Sequence, residues 1–245
     1  MTEKLQSGEQ QAGSQALQWD RPVLLVGASP ELDPDMLDGI EPHWPLIAVD
    51  GGLDTAHAAG LSPSLVLGDM DSVRHVPDDM PALQLDGQDD TDLEKALKLI
   101  SAPLIIGFGF LDGRLDHALA SMHAITRLQR DTPVILVGCR DVLLRPVGDV
   151  ALSLVPGTRF SVWPLGKQHF LESSGLQWPL DGLTLTQGGI IGTSNRVADA
   201  SVTISAGDGE GYAVILPVAA YDAVLQSVCP LGGVMRCGDN RKTLS

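Results

Sequence analysis

Two aspartates one residue apart follow an apolar run in the segment LVLGDMDS, which covers residues 65–72. In an extended segment, side chains at positions i and i+2 project to the same side, so Asp69 and Asp71 would point together. Converging carboxylates raise each other's pKa unless a cation lies between them. Mg²⁺ prefers oxygen ligands and is often held by one or two carboxylates together with substrate phosphates. The pair therefore indicates a metal site, although aspartate is also an ordinary turn residue.

Acidic residues also follow other apolar runs, in the segments AVDGG, DGQDDTD and GFLDGRLDH. The candidates in these segments are Asp50, Asp89, Asp90, Asp92, Asp112, Arg114, Asp116 and His117. Each has a simpler interpretation: DGG is a turn signal, Asp92 can complement a helix dipole, and Asp116 can cap a helix. Their common position favours chemistry, because ligands of open α/β sheets bind at the carboxyl ends of the strands.

Five short runs rich in Val, Ile and Leu must position these residues. The runs cover residues 22–29, 45–49, 64–68, 103–109 and 133–138. They are continuous rather than alternating, which is typical of strands buried on both faces. Because helical patterns lie between them, we predict an α/β amino-terminal domain with a mostly parallel, Rossmann-like sheet covered by helices.

Two segments between these runs have the period of a helix. In TDLEKALKLI, residues 91–100, Thr91 and Glu94 also have the spacing of a capping box. The segment DHALASMHAITRL follows later, at residues 116–128. The apolar faces predicted from the period consist of Leu93, Ala96, Leu97 and Ile100 in the first segment, and of Ala118, Leu119, Met122 and Ile125 in the second.

The chain changes character near residue 145. Short segments such as ALSLV, RFSVWPL, LTLT and YAVILP follow, and SVTIS places Val202 and Ile204 on one face with polar residues on the other. A helical period returns at residues 219–228. We predict that this half is an all-β domain, a small antiparallel sandwich or barrel.

Composition excludes several classes of protein. The chain has 31 acidic and 16 basic residues, and the resulting net charge of −15 repels nucleic acid and anionic lipid. The three cysteines contain no CxxC pair, so neither a disulfide framework nor a zinc site is indicated. No run approaches the ~20 apolar residues of a membrane span, and the first twenty residues do not resemble a signal peptide. A cytoplasmic protein is expected, and the P-loop and protein-kinase motifs are absent.

Taken in order, the motifs resemble those of the thiamine pyrophosphokinase (thiamine diphosphokinase) family. The resemblance covers roughly residues 22–217 and combines a specific set of patterns. The matching segments are VDGG at 49–52, PSLVLGDMDS at 63–72, QDDTDLEKAL at 88–97, DGRLDH at 112–117, GLQWPL at 175–180 and GTSN at 192–195.

This resemblance implies the reaction of ATP with thiamine to give thiamine diphosphate and AMP. It implies that Asp69, Asp71 and Asp92 bind Mg²⁺ or orient the thiamine hydroxyl, with Asp50 beside them. The residues implied to contact ATP are Gly51, Gly52, Arg114, Asp116 and His117. Those implied to contact thiamine are Gln88, Ser194 and Asn195. For Gln88, phosphate is the alternative partner. Ser194 and Asn195 would reach the site from the other subunit of a homodimer.

The resemblance also suggests how the chain divides. The expected parts are a loose tail at 1–21, a catalytic nucleotide-binding domain at 22–146, a thiamine-binding β-rich domain at 147–217 and an extension of unknown role at 218–245.

The chain departs from the family pattern at several positions. Asp112 replaces the first glycine of GGRxDH, and Val49 replaces the usual alanine. No aromatic residue lies just after Asn195, so Trp163 and Trp178 are the candidates for stacking on thiamine, with burial in the core as the simpler interpretation. Two other functions stay open: a nucleotide-sugar transferase with a DxD-bound metal, and a non-catalytic nucleotide- or thiamine-binding module.

Overall fold

The computed structural model describes residues 16–32, 36, 43–85, 87 and 89–229. In the first half, each of the five predicted apolar runs contains a strand. The elements are β1 Leu17–Gln18, β2 Val23–Val26, β3 Leu46–Val49, α1 Gly52–Ala58, β4 Leu65–Gly68, β5 Ala82–Gln84, α2 Asp92–Leu99, β6 Ile100–Ser101, β7 Ile105–Phe108, α3 Leu115–Arg127 and β8 Val134–Val137. The prediction of alternating strands and helices is confirmed.

The second half is rich in strands, as predicted, and its helix lies at the expected place near the end. The elements are β9 Asp141–Arg145, β10 Val150–Ser153, β11 Arg159–Pro164, β12 Gln168–Ser174, β13 Thr184–Leu185, β14 Gly192–Arg196, β15 Ser201–Gly209, β16 Tyr212–Pro217, a 3-10 turn at Val218–Ala220 and α4 Tyr221–Val228.

A ten-stranded mixed sheet runs through both halves, in the order β14-β11-β16-β9-β8-β7-β2-β3-β4-β5. The six strands from β8 to β5 are parallel to their neighbours, whereas β9, β16, β11 and β14 pair antiparallel. The carboxyl ends of β7, β2, β3 and β4 therefore share one edge of the sheet.

A second, antiparallel sheet with the order β10-β15-β12-β13 belongs to the second half, and β1 pairs with β6 separately. Phe160 and Val162 of the large sheet share a hydrophobic cluster with Phe170 and Ile204 of the small sheet. The two sheets therefore pack on each other through apolar side chains. None of the helices in the described part of the chain has the length and apolar character needed to cross a membrane.

Helix α2 follows its prediction closely. Thr91 is the N-cap residue, and its hydroxyl accepts a hydrogen bond from the Glu94 backbone N–H at 3.3 Å. Leu93, Ala96 and Leu97 are buried as predicted, and Ile100, also buried, begins strand β6.

The predicted face of helix α3 is wrong at one position. Leu119 is 60% exposed, while Ser121 and Ala124 are buried with Ile125. The Ser121 hydroxyl donates to the Phe110 carbonyl oxygen at 2.8 Å and thereby holds the helix against the end of the preceding loop. Small side chains at these positions let the helix approach closely, so its buried face is rotated away from Leu119.

Candidate active site

Three carboxylates converge at the carboxyl edge of the parallel strands. Asp50 follows β3, and Asp69 and Asp71 follow the neighbouring strand β4. One oxygen from each of the three lies within 4.8 Å of the others. Asp50 is buried, Asp69 is partly buried and Asp71 is exposed, so the cluster opens to solvent on one side. This is the oxygen-donor set that a hard divalent cation prefers.

The two aspartates of the GDMDS segment converge through a turn, and our premise of an extended segment is wrong. Met70 has a φ of 67°, in the left-handed region, and the Asp71 N–H donates to Asp69 Oδ1 at 3.3 Å. The Ser72 N–H donates to Asp50 Oδ1 at 3.4 Å. These bonds tie the turn after β4 to the carboxylate that follows β3.

Glycines allow the loops of this edge to approach each other. Gly68 has a φ of 147°, and a Cβ there would lie 2.9 Å from the Cβ of Asp50. A Cβ at Gly52 would lie 1.8 Å from the Val26 carbonyl oxygen, and one at Gly51 would lie 3.0 Å from the Ala28 Cβ. The DGG segment therefore packs tightly on the end of β2, which explains its two glycines without a ligand.

Asp92 lies beside the cluster, at the start of helix α2, and is held by a lysine. The Lys95 ammonium is 3.2 Å from Asp92 Oδ1 and 3.9 Å from Asp69 Oδ2, and its side chain is 9% exposed. Burial raises the pKa of Asp92; the Lys95 hydrogen bond and charge oppose that rise, while the negative charges of Asp69 and Asp50 add to it.

Sequence reasoning did not select Lys95 as a site residue. Two signals were present: it lies three residues after Asp92, one helical turn further on, and it belongs to the QDDTDLEKAL match. Its position between Asp92 and Asp69 makes it a basic group within the acidic edge.

Arg114 lies on the same edge, after β7, with β2 between its strand and β3. Its guanidinium donates to both carboxylate oxygens of Asp116, with a distance of 3.0 Å from Nε to Oδ1. This hydrogen bond and the positive charge of Arg114 hold the pKa of Asp116 below its usual range. The His117 N–H donates to the same carboxylate at 3.1 Å, and all three residues are exposed. The structure therefore pairs the side chains of Arg114 and Asp116, and His117 joins this pair through its backbone N–H.

Gln88 lies outside the described residues. Its neighbour Asp90 accepts a hydrogen bond of 2.7 Å from the Lys98 ammonium.

Ser194 and Asn195 are not brought to the acidic edge of their own chain. They lie on β14 at one end of the ten-stranded sheet, and seven strands separate β14 from β4. At about 4.8 Å between neighbouring strands, this distance within the sheet is several tens of ångströms.

Asn195 is committed to the backbone of Trp178. Its Oδ1 accepts from the Trp178 N–H at 3.2 Å, and its Nδ2 donates to the Trp178 carbonyl at 2.7 Å. Asn195 is 6% exposed, whereas Trp178 is 54% exposed. Trp178 lines a groove of about 160 Å³ together with Ile190 and Ile191. The core interpretation is therefore wrong for Trp178, while Trp163 packs against the hydrophobic core.

These features define a class of protein: an α/β chain with a carboxylate-rich ligand edge, joined to a β-rich half that presents an exposed tryptophan. Two family models match the chain. Residues 40–137 match "Thiamin pyrophosphokinase, catalytic domain", and residues 150–209 match "Thiamin pyrophosphokinase, vitamin B1 binding domain". The chain belongs to the thiamin pyrophosphokinase family.

Named relatives agree with this assignment. Thiamin pyrophosphokinase 1 of Caenorhabditis elegans is 32% identical over 157 residues, which cover 57% of this chain and 65% of the relative. Thiamine pyrophosphokinase of Bacillus subtilis is 28% identical over 200 residues, which cover 76% of this chain and 94% of the relative.

Solved structures share the fold. The thiamin pyrophosphokinase of Geobacillus thermodenitrificans superposes with a TM-score of 0.64 at 24% identity, over 80% of this chain and 96% of that one. The Bacillus subtilis enzyme superposes with a TM-score of 0.65 at 23% identity, over 80% of this chain and 98% of that one. At this level of identity the likeness establishes the fold alone.

Proposed function

We propose that the protein transfers the β,γ-diphosphate of ATP to the hydroxyl of thiamine, giving thiamine diphosphate and AMP. The observation that carries the proposal is the convergence of Asp50, Asp69 and Asp71 within the region that matches the catalytic domain of the family. In this reading, the Rossmann-like parallel part of the sheet, within residues 22–146, binds the nucleotide, and residues 147–217 bind thiamine.

Mg²⁺ is the metal that the donor set suits best. Asp69, Asp71 and Asp92 would hold it, with Asp50 next to them. Asp69 and Asp71 converge with Asp50 and leave an open side for phosphate, and Lys95 links Asp92 to Asp69. The ion would supply positive charge where negative charge develops as AMP leaves. Lys95 keeps Asp92 and Asp69 close together in the free protein and limits their mutual repulsion.

Side chains of the same edge bind and orient the nucleotide. Arg114 neutralises phosphate charge, and Asp116 holds its guanidinium in place before ATP binds. His117 lies beside them, and Gly51 and Gly52 contribute by letting the loop after β3 pack closely on the end of β2, at the edge where the nucleotide binds. The thiamine hydroxyl then attacks the β-phosphorus, so catalysis consists mainly of positioning and charge stabilisation.

Thiamine binds to the β-rich half in this proposal. Trp178 is the exposed aromatic side chain on which its rings stack, and Asn195 positions Trp178 through its backbone. Ser194 and Gln88 are the remaining contacts. Because β14 lies far from β4 within one chain, we place the β-rich half of a second subunit over the acidic edge, in a cytoplasmic homodimer with shared active sites.

Phosphorus NMR of the purified protein with ATP, thiamine and Mg²⁺ tests the reaction. AMP and thiamine diphosphate in equal amounts are the expected products. ADP as the product would contradict diphosphate transfer. Turnover of a nucleotide sugar without thiamine would support the sugar-transferase alternative, which the family match does not favour. Binding of both substrates without any product would identify a binding module instead.

Mixed dimers test the shared site. Asp71→Asn damages the acidic edge and Trp178→Ala damages the thiamine side, so each homodimer should be nearly inactive. In a heterodimer, one site carries both changes and the other carries neither, so up to about half of the wild-type activity should return. A purified heterodimer as inactive as its parents, or a monomer in sedimentation, would contradict the shared site.

A further inference from the structure

Asp112 and Cys139 together connect three loops of the acidic edge. Asp112 lies in the loop after β7, and its two carboxylate oxygens accept from the Cys139 backbone N–H at 2.9 and 3.1 Å. Cys139 follows the neighbouring strand β8, and its thiol donates to the Glu31 carbonyl oxygen at 2.7 Å, in the loop after β2. The loops after β2, β7 and β8 are therefore connected through this carboxylate and this thiol.

Close packing leaves the Asp112 carboxylate little freedom. A Cβ at Gly138 would lie 2.9 Å from Asp112 Oδ1 and 3.0 Å from Oδ2. A Cβ at Gly109, at the start of the same loop, would lie 2.7 Å from the Gly27 carbonyl oxygen. Glycine at both positions therefore allows the loops to meet at the distance that the Asp112 bond requires.

Arg114 is two residues after Asp112 and lies at the N-cap position of helix α3. Its side chain is 71% exposed, and its partner Asp116 lies in the first turn of the helix that this loop leads into. The placement of the guanidinium over the edge consequently depends on the path of the loop backbone. Asp112 fixes that path through the Cys139 N–H, and the Ser121 hydroxyl, which donates to the Phe110 carbonyl oxygen, fixes it two residues earlier.

We propose that Asp112 is a positioning residue for ATP: by holding the loop after β7 against the turn after β8, it sets where Arg114 meets phosphate. The inference rests on the proposed role of Arg114 in binding ATP. An anchored carboxylate whose oxygens bind a backbone N–H forms a strong, charge-assisted hydrogen bond.

A double-mutant cycle with direct ATP binding tests this proposal. The variants are Asp112→Ala, Arg114→Ala and the combination, titrated with ATP and Mg²⁺ by calorimetry in the absence of thiamine. Asp112→Ala should weaken ATP binding about tenfold, the scale of one hydrogen bond to a charged group. In the Arg114→Ala background, Asp112→Ala should have little further effect, because the group that it positions is gone.

Three further variants separate positioning from general structure. Asp112→Asn keeps one acceptor and should restore most of the affinity. Gly138→Ala pushes on the carboxylate from the other side and should weaken ATP binding as Asp112→Ala does. Asp149→Ala is the matched control, because Asp149 also accepts a backbone N–H, from Ala206 at 2.9 Å, but in the β-rich half. It should leave ATP affinity unchanged.

Steady-state kinetics give the second readout. Asp112→Ala should raise KM for ATP with kcat and KM for thiamine nearly unchanged. If Arg114→Ala weakens ATP binding but Asp112→Ala does not, or if the two effects simply add, the positioning role is overturned and the proposed function stands. If Arg114→Ala leaves ATP binding intact, the nucleotide role of Arg114 fails, and this inference fails with it. An equal loss for both substrates without rescue by Asp112→Asn would reduce Asp112 to a stabilising residue.

Discussion

Acidic residues lie on two sides of helix α2, some on the helix and some on neighbouring segments. The two groups differ in how far basic residues balance their charge. On one side, the Glu94 carboxylate is 2% exposed and lies 3.0 Å from the Lys98 ammonium and 3.1 Å from the Arg127 guanidinium. Lys98 also binds Asp90. On the other side, Lys95 contacts Asp92 and Asp69, and Asp69 in turn converges with Asp50 and Asp71.

The difference separates a structural network from a binding site. Two basic groups of the same chain compensate the charge of this buried carboxylate. It therefore needs no bound cation. Arg130 strengthens this side by donating to the carbonyl oxygens of Ile100 and Lys98 at 2.6 and 2.8 Å. The acidic edge keeps a surplus of negative charge, which costs stability in the free protein and which a bound cation would relieve. Charge imbalance, rather than the number of acids, distinguishes the candidate site.

The largest effect on this comparison should come from Asp71→Asn. It keeps the shape of the side chain but removes a charge from the proposed metal site. Mg²⁺-dependent turnover should fall at least ~100-fold, the scale of several kcal/mol of metal stabilisation. Stability should be kept or slightly raised, because carboxylate repulsion is relieved. Steady-state assays and thermal unfolding check both, with Asp78→Asn in the same acidic loop as the control. Near-normal turnover at ordinary Mg²⁺ would remove Asp71 from the site.

Glu94→Gln should lower stability and leave turnover nearly unchanged, which is the reverse of the effect of Asp71→Asn. Removing the charge leaves Lys98 and Arg127 without their buried partner, although both are about half exposed and retain water. The free energy of unfolding should fall by about 2 kcal/mol, somewhat less than for a fully buried pair. Urea unfolding followed by tryptophan fluorescence measures the loss, and kcat of the folded fraction should change little. A variant with wild-type stability and strongly reduced kcat would place Glu94 in the catalytic site and end the distinction.

The sequence predicted the strands and the edge well because the relevant signals are local. Continuous apolar runs mark the buried parallel strands, and Thr91 with Glu94 marks the start of α2. Features that depend on contacts between distant segments were not predictable. From the sequence alone, Lys95 is expected to face solvent, because its contact with Asp69 depends on the turn after β4 lying beside α2. Leu119 matches the helical period but faces away from the sheet.

The same distinction applies to the residues that we propose to contact the substrates. The resemblance predicted contact with thiamine for Asn195, and the structure adds that its amide holds the backbone of Trp178. The hydrogen bond from the Cys139 N–H to Asp112 joins residues that are 27 positions apart in the sequence, so no local pattern predicts it. The exposed face of Trp178 likewise follows from the packing of two sheets rather than from the segment GLQWPL.

A smaller effect should follow from Lys95→Gln, which makes the acidic edge still less balanced. The Asp92 carboxylate loses its cation, so the metal-free protein should lose about 1 kcal/mol of stability, as for one lost hydrogen bond. Added Mg²⁺ should raise Tm more in this variant than in the wild type, because a cation then replaces the lost positive charge. Lys167→Gln, an exposed lysine of the β-rich half, is the control. Equal Mg²⁺ shifts in the two proteins would show that Lys95 does not compensate the cluster.

The smallest effect concerns the pH dependence of the metal-free protein. Burial raises the pKa of Asp92, an effect that outweighs the opposing bond from Lys95. A carboxyl whose pKa is higher in the folded than in the unfolded state binds its proton more tightly when folded. Its contribution to stability is therefore present below the unfolded pKa and is lost as the pH rises through the folded pKa.

Asp92→Asn removes this titration and should be slightly more stable than the wild type at neutral pH in the presence of a chelator. The advantage should shrink as the pH falls through the raised pKa of Asp92, because the wild-type carboxyl then becomes neutral as well. Thermal unfolding of both proteins between neutral pH and pH 4 measures the difference, and Asp90→Asn gives the contrast. Asp90 has its pKa lowered by Lys98, so its substitution should cost stability at neutral pH. If both asparagine variants shift stability in the same direction, the two sides of α2 do not differ in charge balance.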